Sequence, residues 1–352
     1  MKETQIVKVD PDSPDIHEIE RAASIIKGGG LVAFPTETVY GLGADGLRAD
    51  TVDKIFLAKG RPQDNPLILH VASPDDILRV AMAVPPDVDR LVQLFWPGPL
   101  TLILPKEPHV PDVVSAGLPT IGVRMPDNII ALTLIAESGT LLAAPSANLS
   151  GRPSPTQASH VADDMWGRVD LILDGGSTRL GVESTVLDLT EDPPRILRPG
   201  SVTREELEEV LGHVEARVPG SENRPSPGQV HPGMKYPHYS LDIPVFLVEG
   251  EPQAIVRRIQ EEAGKYRSCG KKVGILSSEE SKGQYSGYAD VVRSLGSRHD
   301  MTQVAAGLYR TLRDFETCQV NVLFAEGFSE RGLGFAVMNR LRGAARGRII
   351  YV

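Results

Sequence analysis

Gly28-Gly29-Gly30-Leu31-Val32-Ala33-Phe34-Pro35-Thr36-Glu37-Thr38-Val39-Tyr40-Gly41-Leu42-Gly43 is the stretch that decides how this chain folds. Ahead of it, Ile16, Ile19, Ala22, Ala23 and Ile26 follow helical spacing, and three consecutive glycines stop that helix. Residues 31–34 are apolar without alternation, the mark of a strand covered on both faces. A polar loop, residues 35–46, is expected straight after it. Helix, doubly covered strand and polar loop at the strand's carboxyl end form the repeating unit of an α/β domain, and such loops carry ligands.

Outward from this stretch the same grammar recurs. A short helix is expected after Asp50, and strands at 67–71, 100–104, 121–124, 141–144, 171–173 and 185–189. Helices between only some of them imply a mixed sheet. From Pro219 to Pro244 the reading changes, because six prolines in that stretch exclude a helix or a central strand. Beyond this linker, strands at 245–248, 273–276, 289–292, 320–325 and 348–352 alternate with helices near 253–266, 302–315 and 336–341. That alternation implies a smaller, parallel, Rossmann-like sheet. A length of 352 residues agrees with two domains.

Composition narrows the function. Apolar residues make up 41% and charged residues 24%, as in ordinary globular proteins. No apolar run is long enough to cross a membrane, and the start lacks a signal-peptide core, so the cytoplasm is expected. Two isolated cysteines, Cys269 and Cys318, make no disulfide framework, and the eight histidines show no metal-ligand spacing. A formal charge of −9 argues against a protein built to grip nucleic acid. The basic run Arg340, Arg342, Arg346, Arg348 reads by default as a solvated helix end.

Three stretches carry candidate chemistry, the first being Pro35-Thr36-Glu37-Thr38-Val39-Tyr40-Gly41-Leu42-Gly43, a polar loop straight after a buried strand. Gly41-Leu42-Gly43-Ala44-Asp45-Gly46 matches a dinucleotide string, but it neither leaves a strand directly nor opens a helix, as that fingerprint requires. Lys59-Gly60-Arg61-Pro62-Gln63-Asp64-Asn65-Pro66-Leu67 places two cations where a helix ends. They suit a phosphate, a point charge beside a planar fork of donors, or they simply cap the helix. Ala144-Pro145-Ser146-Ala147-Asn148-Leu149-Ser150-Gly151 delivers small polar groups to a strand's carboxyl end, for a ligand or as a turn before the helix expected near Thr156. Arg124, Ser184 and Arg198 also follow strand-like runs, and His70 lies within one.

Together these residues resemble the YrdC-like family of threonylcarbamoyl-AMP synthases. Pro-Thr-Glu-Thr-Val-Tyr-Gly-Leu-Gly, Lys-x-Arg-Pro-x-x-x-Pro-Leu and Ser-Ala-Asn-x-Ser-Gly stand in the family's order and spacing. Pro232-Gly233-Met234-Lys235-Tyr236-Pro237-His238-Tyr239 and the run from Gly332 to Arg342 are similar to its long, two-domain form. The linker departs from the usual pattern at His231 and Pro237. The resemblance implies a YrdC-like catalytic domain at 10–212 with a mixed twisted sheet, a linker or lid at 213–243 and a Rossmann-like domain at 244–352. It also implies that L-threonine, bicarbonate and ATP become L-threonylcarbamoyladenylate and pyrophosphate, for the N6-threonylcarbamoyladenosine modification of tRNA.

By the same resemblance, Lys59, Arg61, Ser146 and Asn148 surround the phosphates and act in catalysis. Asn65, Thr120, Ser154 and Arg198 bind other parts of ATP, and Thr38, His70, Arg124, the Ala144 backbone and Ser184 hold threonine. No protein metal cage is visible, so Mg²⁺ is expected on the triphosphate. The linker's large and basic residues suggest a lid, with Tyr236 and His238 reaching the ATP phosphates or the threonine. A downstream tRNA threonylcarbamoyl transferase is the expected partner, with no membrane and no stable nucleic-acid binding. Two alternatives compete. A carbamoyl-transfer relative would bring zinc-finger-like cysteines, and an RNA-binding module would be basic, whereas this chain has two cysteines, is acidic and is 5% aromatic.

Overall fold

The structure is a computed structural model and describes residues 3–216 and 239–352. Those residues divide into two compact units, the first holding 3–150, 154–179 and 183–216, the second 151–153, 180–182 and 239–352.

The first unit is built on β1 (Gln5–Lys8), β2 (Val32–Phe34), β3 (Gly41–Asp45), β4 (Ile68–His70), β5 (Leu100–Pro105), β6 (Thr120–Arg124), β7 (Leu142–Ala143), β8 (Leu171–Asp174), β9 (Thr185–Asp188), β10 (Arg195–Arg198) and β11 (Glu215–Ala216). They lie in one sheet in the order β1-β8-β2-β3-β7-β4-β6-β5-β9-β10-β11. β4 runs parallel to β6, while β3, β7 and β4 alternate in direction, so the sheet is mixed as expected. The strand Val32–Phe34 shows no polar alternation because both of its faces are buried. Val32 and Phe34 face one core, with Ile19, Ala23 and Ile26 of helix Ile16–Lys27, and Leu31 and Ala33 face the other, with Val52 and Ile55 of helix Ala49–Lys59. Burying an aromatic or branched side chain of this size contributes about 1.5–3 kcal/mol, so neither face tolerates a polar residue.

Two expectations are corrected here. Residues 41–45 are a strand, not part of a polar loop, and β3 pairs antiparallel with β2, Gly43 opposite Val32. A side chain at Gly43 would meet the Phe34 ring at 2.7 Å, so glycine is required by the neighbouring ring and not by a turn or a phosphate. The dinucleotide reading of this string is thereby excluded. The sheet also reaches beyond residues 10 and 212 on both sides, because β1 pairs with β8 and β11 pairs with β10.

The second unit carries β12 (Val245–Glu249), β13 (Val273–Ser277), β14 (Val291–Ser294), β15 (Val322–Glu326) and β16 (Ile349–Tyr351), ordered β14-β13-β15-β12-β16 and parallel throughout. This is the Rossmann-like sheet expected from the strand–helix alternation. At its carboxyl edge Glu326 is fully buried and accepts from Tyr285 Oη at 2.6 Å, Arg298 Nη2 at 2.7 Å and the Ser278 amide at 3.1 Å. The basic run near the end is only half solvated: Arg340 is fully buried and Arg342 forks onto Glu249 at 2.9 and 2.6 Å, while Arg346 and Arg348 are exposed. Among the described residues no helix is long and apolar enough to cross a membrane.

Candidate active site

The site begins where helix Ala49–Lys59 ends. Gly60 adopts φ 60°, ψ 35°, the left-handed conformation that reverses a helix end, and Arg61 N donates to Phe56 O at 3.0 Å. A residue with a Cβ at Gly60 would be strained there. The reversal separates the two cations. Lys59, buried, sends Nζ to the carbonyls of Ser146 and Asn148, the latter at 2.6 Å. Arg61 turns back on its own loop, donating from Nε to Asn65 O at 3.2 Å and from Nη2 to Pro66 O at 3.0 Å. Burial first, and the Arg198 guanidinium second, push the Arg61 pKa down to about 9. The shift is mainly the cost of burying a charge, with a second cation beside it and Asp64 partly offsetting both.

The Ser146–Asn148 loop is hung on the start of β3. Leu42 N donates to Pro145 O and Ala147 N to Tyr40 O, each at 2.8 Å, and Gly41 forms a bridge with Ser146. Ala144 N donates to Ile68 O at 3.0 Å, which brings the Ala144 backbone beside β4. Both motifs therefore meet through the main chain.

A second cluster forms around Arg124, the last residue of β6. It is buried, directly opposite His70 in the β4–β6 register, and donates from Nη2 to Thr38 Oγ1 at 3.0 Å and from Nε to Gly98 O at 3.3 Å. Arg124 Nη2 also lies 2.7 Å from Glu37 Oε1, with both side chains almost wholly buried. Neither Glu37 oxygen receives a well-directed hydrogen bond. The two observations are compatible, because the charges touch while no N–H points squarely at the carboxylate. Burial, and then Arg124, push the His70 pKa down to about 3, so this ring is neutral at physiological pH.

Ser184 completes the arrangement. It is fully buried, its hydroxyl is 2.8 Å from Thr101 Oγ1, and Arg198 donates to its carbonyl at 2.9 Å and its hydroxyl at 3.0 Å. Ser154 Oγ donates to Glu183 Oε1 at 2.5 Å, beside Ser184 in sequence. The structure thus gathers Lys59 with Ser146 and Asn148, Arg61 with Asn65 and Arg198, Arg198 with Ser184, and Thr38 and His70 with Arg124. Thr120 stands at the far end of β6 from Arg124. Tyr236 and His238 lie outside the described residues. Sequence reasoning missed Glu37 and Thr101. A carboxylate inside an otherwise neutral, buried motif could have flagged the first, whereas Thr101 looks like any strand residue.

A family model described as telomere recombination, Sua5/YciO/YrdC, matches residues 24–200. One described as threonylcarbamoyl-AMP synthase, C-terminal domain, matches 202–346. The chain belongs to this family. The threonylcarbamoyl-AMP synthase of Bacillus subtilis is 48% identical over 336 residues, covering 95% of this chain and 94% of that protein. That of Pyrococcus abyssi is 49% identical over 335 residues, covering 95% and 96%. The crystal structure of P. abyssi Sua5 complexed with L-threonine superposes with a TM-score of 0.93 at 48% identity, covering 99% of each chain. Family membership extends over both units, so the second is as much part of the synthase architecture as the first.

Proposed function

We infer that this chain is an L-threonylcarbamoyladenylate synthase, a nucleotidyltransferase that turns L-threonine, bicarbonate and ATP into L-threonylcarbamoyladenylate and pyrophosphate for tRNA modification. The observation that carries the site reading is the coexistence of two unlike clusters at neighbouring strand ends. One is cationic, with Arg61 beside Arg198 and Lys59 held separately on the Ser146–Asn148 loop, and suits phosphates. The other places Arg124 with Thr38 and His70, a carboxylate fork beside neutral hydrogen-bonding groups, and suits a hydroxy amino acid.

The chemistry divides between them. The threonine amine takes up bicarbonate, water leaves, and the carbamate oxygen attacks the α-phosphorus as the bond to pyrophosphate breaks. No enzyme nucleophile is involved, so the protein contributes position and electrostatics. Lys59 is already oriented toward the Ser146–Asn148 loop, and Arg61 and Arg198 hold charge that the departing pyrophosphate neutralises. Arg124 fixes the threonine carboxylate, and neutral His70, with Thr38, takes the hydroxyl. Asn65, Thr120 and Ser154 serve the rest of ATP, and Ser184 and the Ala144 backbone serve threonine.

Mg²⁺ is proposed to travel with the triphosphate. The cationic donor set fits a metal-loaded phosphate and not a bare divalent ion, the Ser146 hydroxyl and Asn148 amide are the groups able to meet it, and it would neutralise phosphate charge. Among the described residues no three His, Cys, Asp or Glu side chains gather as a metal group. The adenylate is labile, so a tRNA threonylcarbamoyl transferase in the cytoplasm is the proposed recipient. The test is direct: incubate the protein with ATP, threonine and bicarbonate and measure threonylcarbamoyladenylate and pyrophosphate. Pyrophosphate without threonine dependence would overturn the reading.

A further inference from the structure

Glu37 has no part in the chemistry described so far, yet it is 3% exposed and sits between two threonines at the centre of the site. Its Oε1 touches Arg124 Nη2 at 2.7 Å, and its Oε2 has no hydrogen-bond partner. A carboxylate kept only to neutralise a buried arginine is commonly gripped by both oxygens in a bidentate fork. Here the grip is one-sided. The neighbouring hydroxyls do not close it either: Thr36 Oγ1 is 2.8 Å from Thr38 Oγ1 and donates to Val39 O at 2.6 Å, while Thr38 Oγ1 accepts from Arg124. A buried carboxylate oxygen without a donor is costly, and a native site retains one where a ligand supplies the donor.

We propose that Glu37 is the counter-charge for the α-ammonium of threonine and the residue that selects an amino acid over the corresponding hydroxy acid. The proposal rests on the reading of Arg124 as the carboxylate clamp. In an α-amino acid the two charged groups share one carbon, so a ligand whose carboxylate faces Arg124 brings its ammonium within reach of whatever touches Arg124. Glu37 does. An ammonium also satisfies the open oxygen better than a hydroxyl would, because both partners are charged. Arg124 and Glu37 side by side form the electrostatic complement of a zwitterion, and a ligand lacking the amine would leave a buried carboxylate unanswered.

The test is calorimetric titration of the full chain with L-threonine and, separately, with (R)-3-hydroxybutyrate, which is threonine without its amine. For Glu37→Gln the affinity for threonine falls at least tenfold, while that for 3-hydroxybutyrate changes less than threefold. Glu37→Asp, which keeps the charge, recovers part of the threonine loss. In turnover, Glu37→Gln raises KM for threonine and leaves KM for ATP unchanged. Equal loss for both ligands would show that Glu37 only holds Arg124 in place, and would overturn the proposal. So would threonine affinity unchanged in Glu37→Gln. If that variant does not fold, Glu37→Asp decides, since a selective loss for threonine supports the idea and a uniform loss refutes it. A wild-type chain that binds no threonine would overturn the clamp reading itself.

Discussion

Replacing Arg61 by alanine is expected to separate stability from catalysis. In the folded chain the Arg61 pKa falls from 12.5 to about 9, through burial and the Arg198 charge. At 1.36 kcal/mol per pH unit this corresponds to about 5 kcal/mol against keeping the guanidinium charged there. Arg61 keeps some solvent contact, so screening lowers this cost to the order of a few kcal/mol. Against that stand two hydrogen bonds, to Asn65 O and Pro66 O, each worth about 1.5 kcal/mol with a charged donor. The terms nearly cancel, and Arg61→Ala should unfold within about 1 kcal/mol of wild type. Turnover should fall about a hundredfold, the loss of about 3 kcal/mol typical for one donor aimed at developing charge. The assays are pyrophosphate release with threonine and bicarbonate saturating, and thermal unfolding with and without ATP. Wild type should gain stability from ATP by mass action, and the variant should gain much less. A variant destabilised by more than about 3 kcal/mol would mean that Arg61 is a structural cap. Near-wild-type pyrophosphate release would remove it from the phosphate site.

Three further outcomes are expected. Arg124→Lys keeps a positive charge beside Glu37 but loses the planar fork, so calorimetry should show threonine binding weakened about tenfold and binding of a non-hydrolysable ATP analogue little changed; equal losses would refute the clamp. His70 has a folded pKa of about 3 against 6.5 when free, so below 6.5 the unfolded chain binds a proton that the folded chain refuses. This contribution is complete above pH 6.5 and is lost as pH falls toward 3; His70→Gln should flatten stability between pH 6.5 and 5 by about 1.5 kcal/mol, measured by denaturant titration at each pH. Glu326→Ala leaves Arg298 and Tyr285 without their shared buried acceptor and should destabilise the second unit by about 3 kcal/mol in thermal unfolding, whereas a loss below 1 kcal/mol would mean that water replaces the carboxylate.

How much of this was legible in the sequence follows from the range of each interaction. Doubly buried strands such as Val32–Phe34 announce themselves, because both faces need apolar residues and the run is continuous. Strand Gly41–Asp45 did not, since glycine usually marks a turn, and its licence to be a strand is the Phe34 ring lying over Gly43, a tertiary fact. The edge strands Gln5–Lys8 and Glu215–Ala216 are short and have no buried residue, so no burial pattern reveals them. The site divides in the same way. Lys59, Arg61, Ser146 and Asn148 could be nominated because each motif keeps its polar groups within a few residues of one another. The closeness of Arg61 and Arg198 depends on a sheet order that joins β4, β6, β5, β9 and β10 from separate parts of the chain. Sequence could therefore nominate the cations but not their burial side by side. Glu37 sharpens the point. It lay in plain view inside the stretch that decided the fold, and by itself it was one more polar loop residue. Only the partner across the sheet, Arg124, gives its carboxylate a meaning, because a buried charge is defined by what faces it and not by its neighbours in sequence.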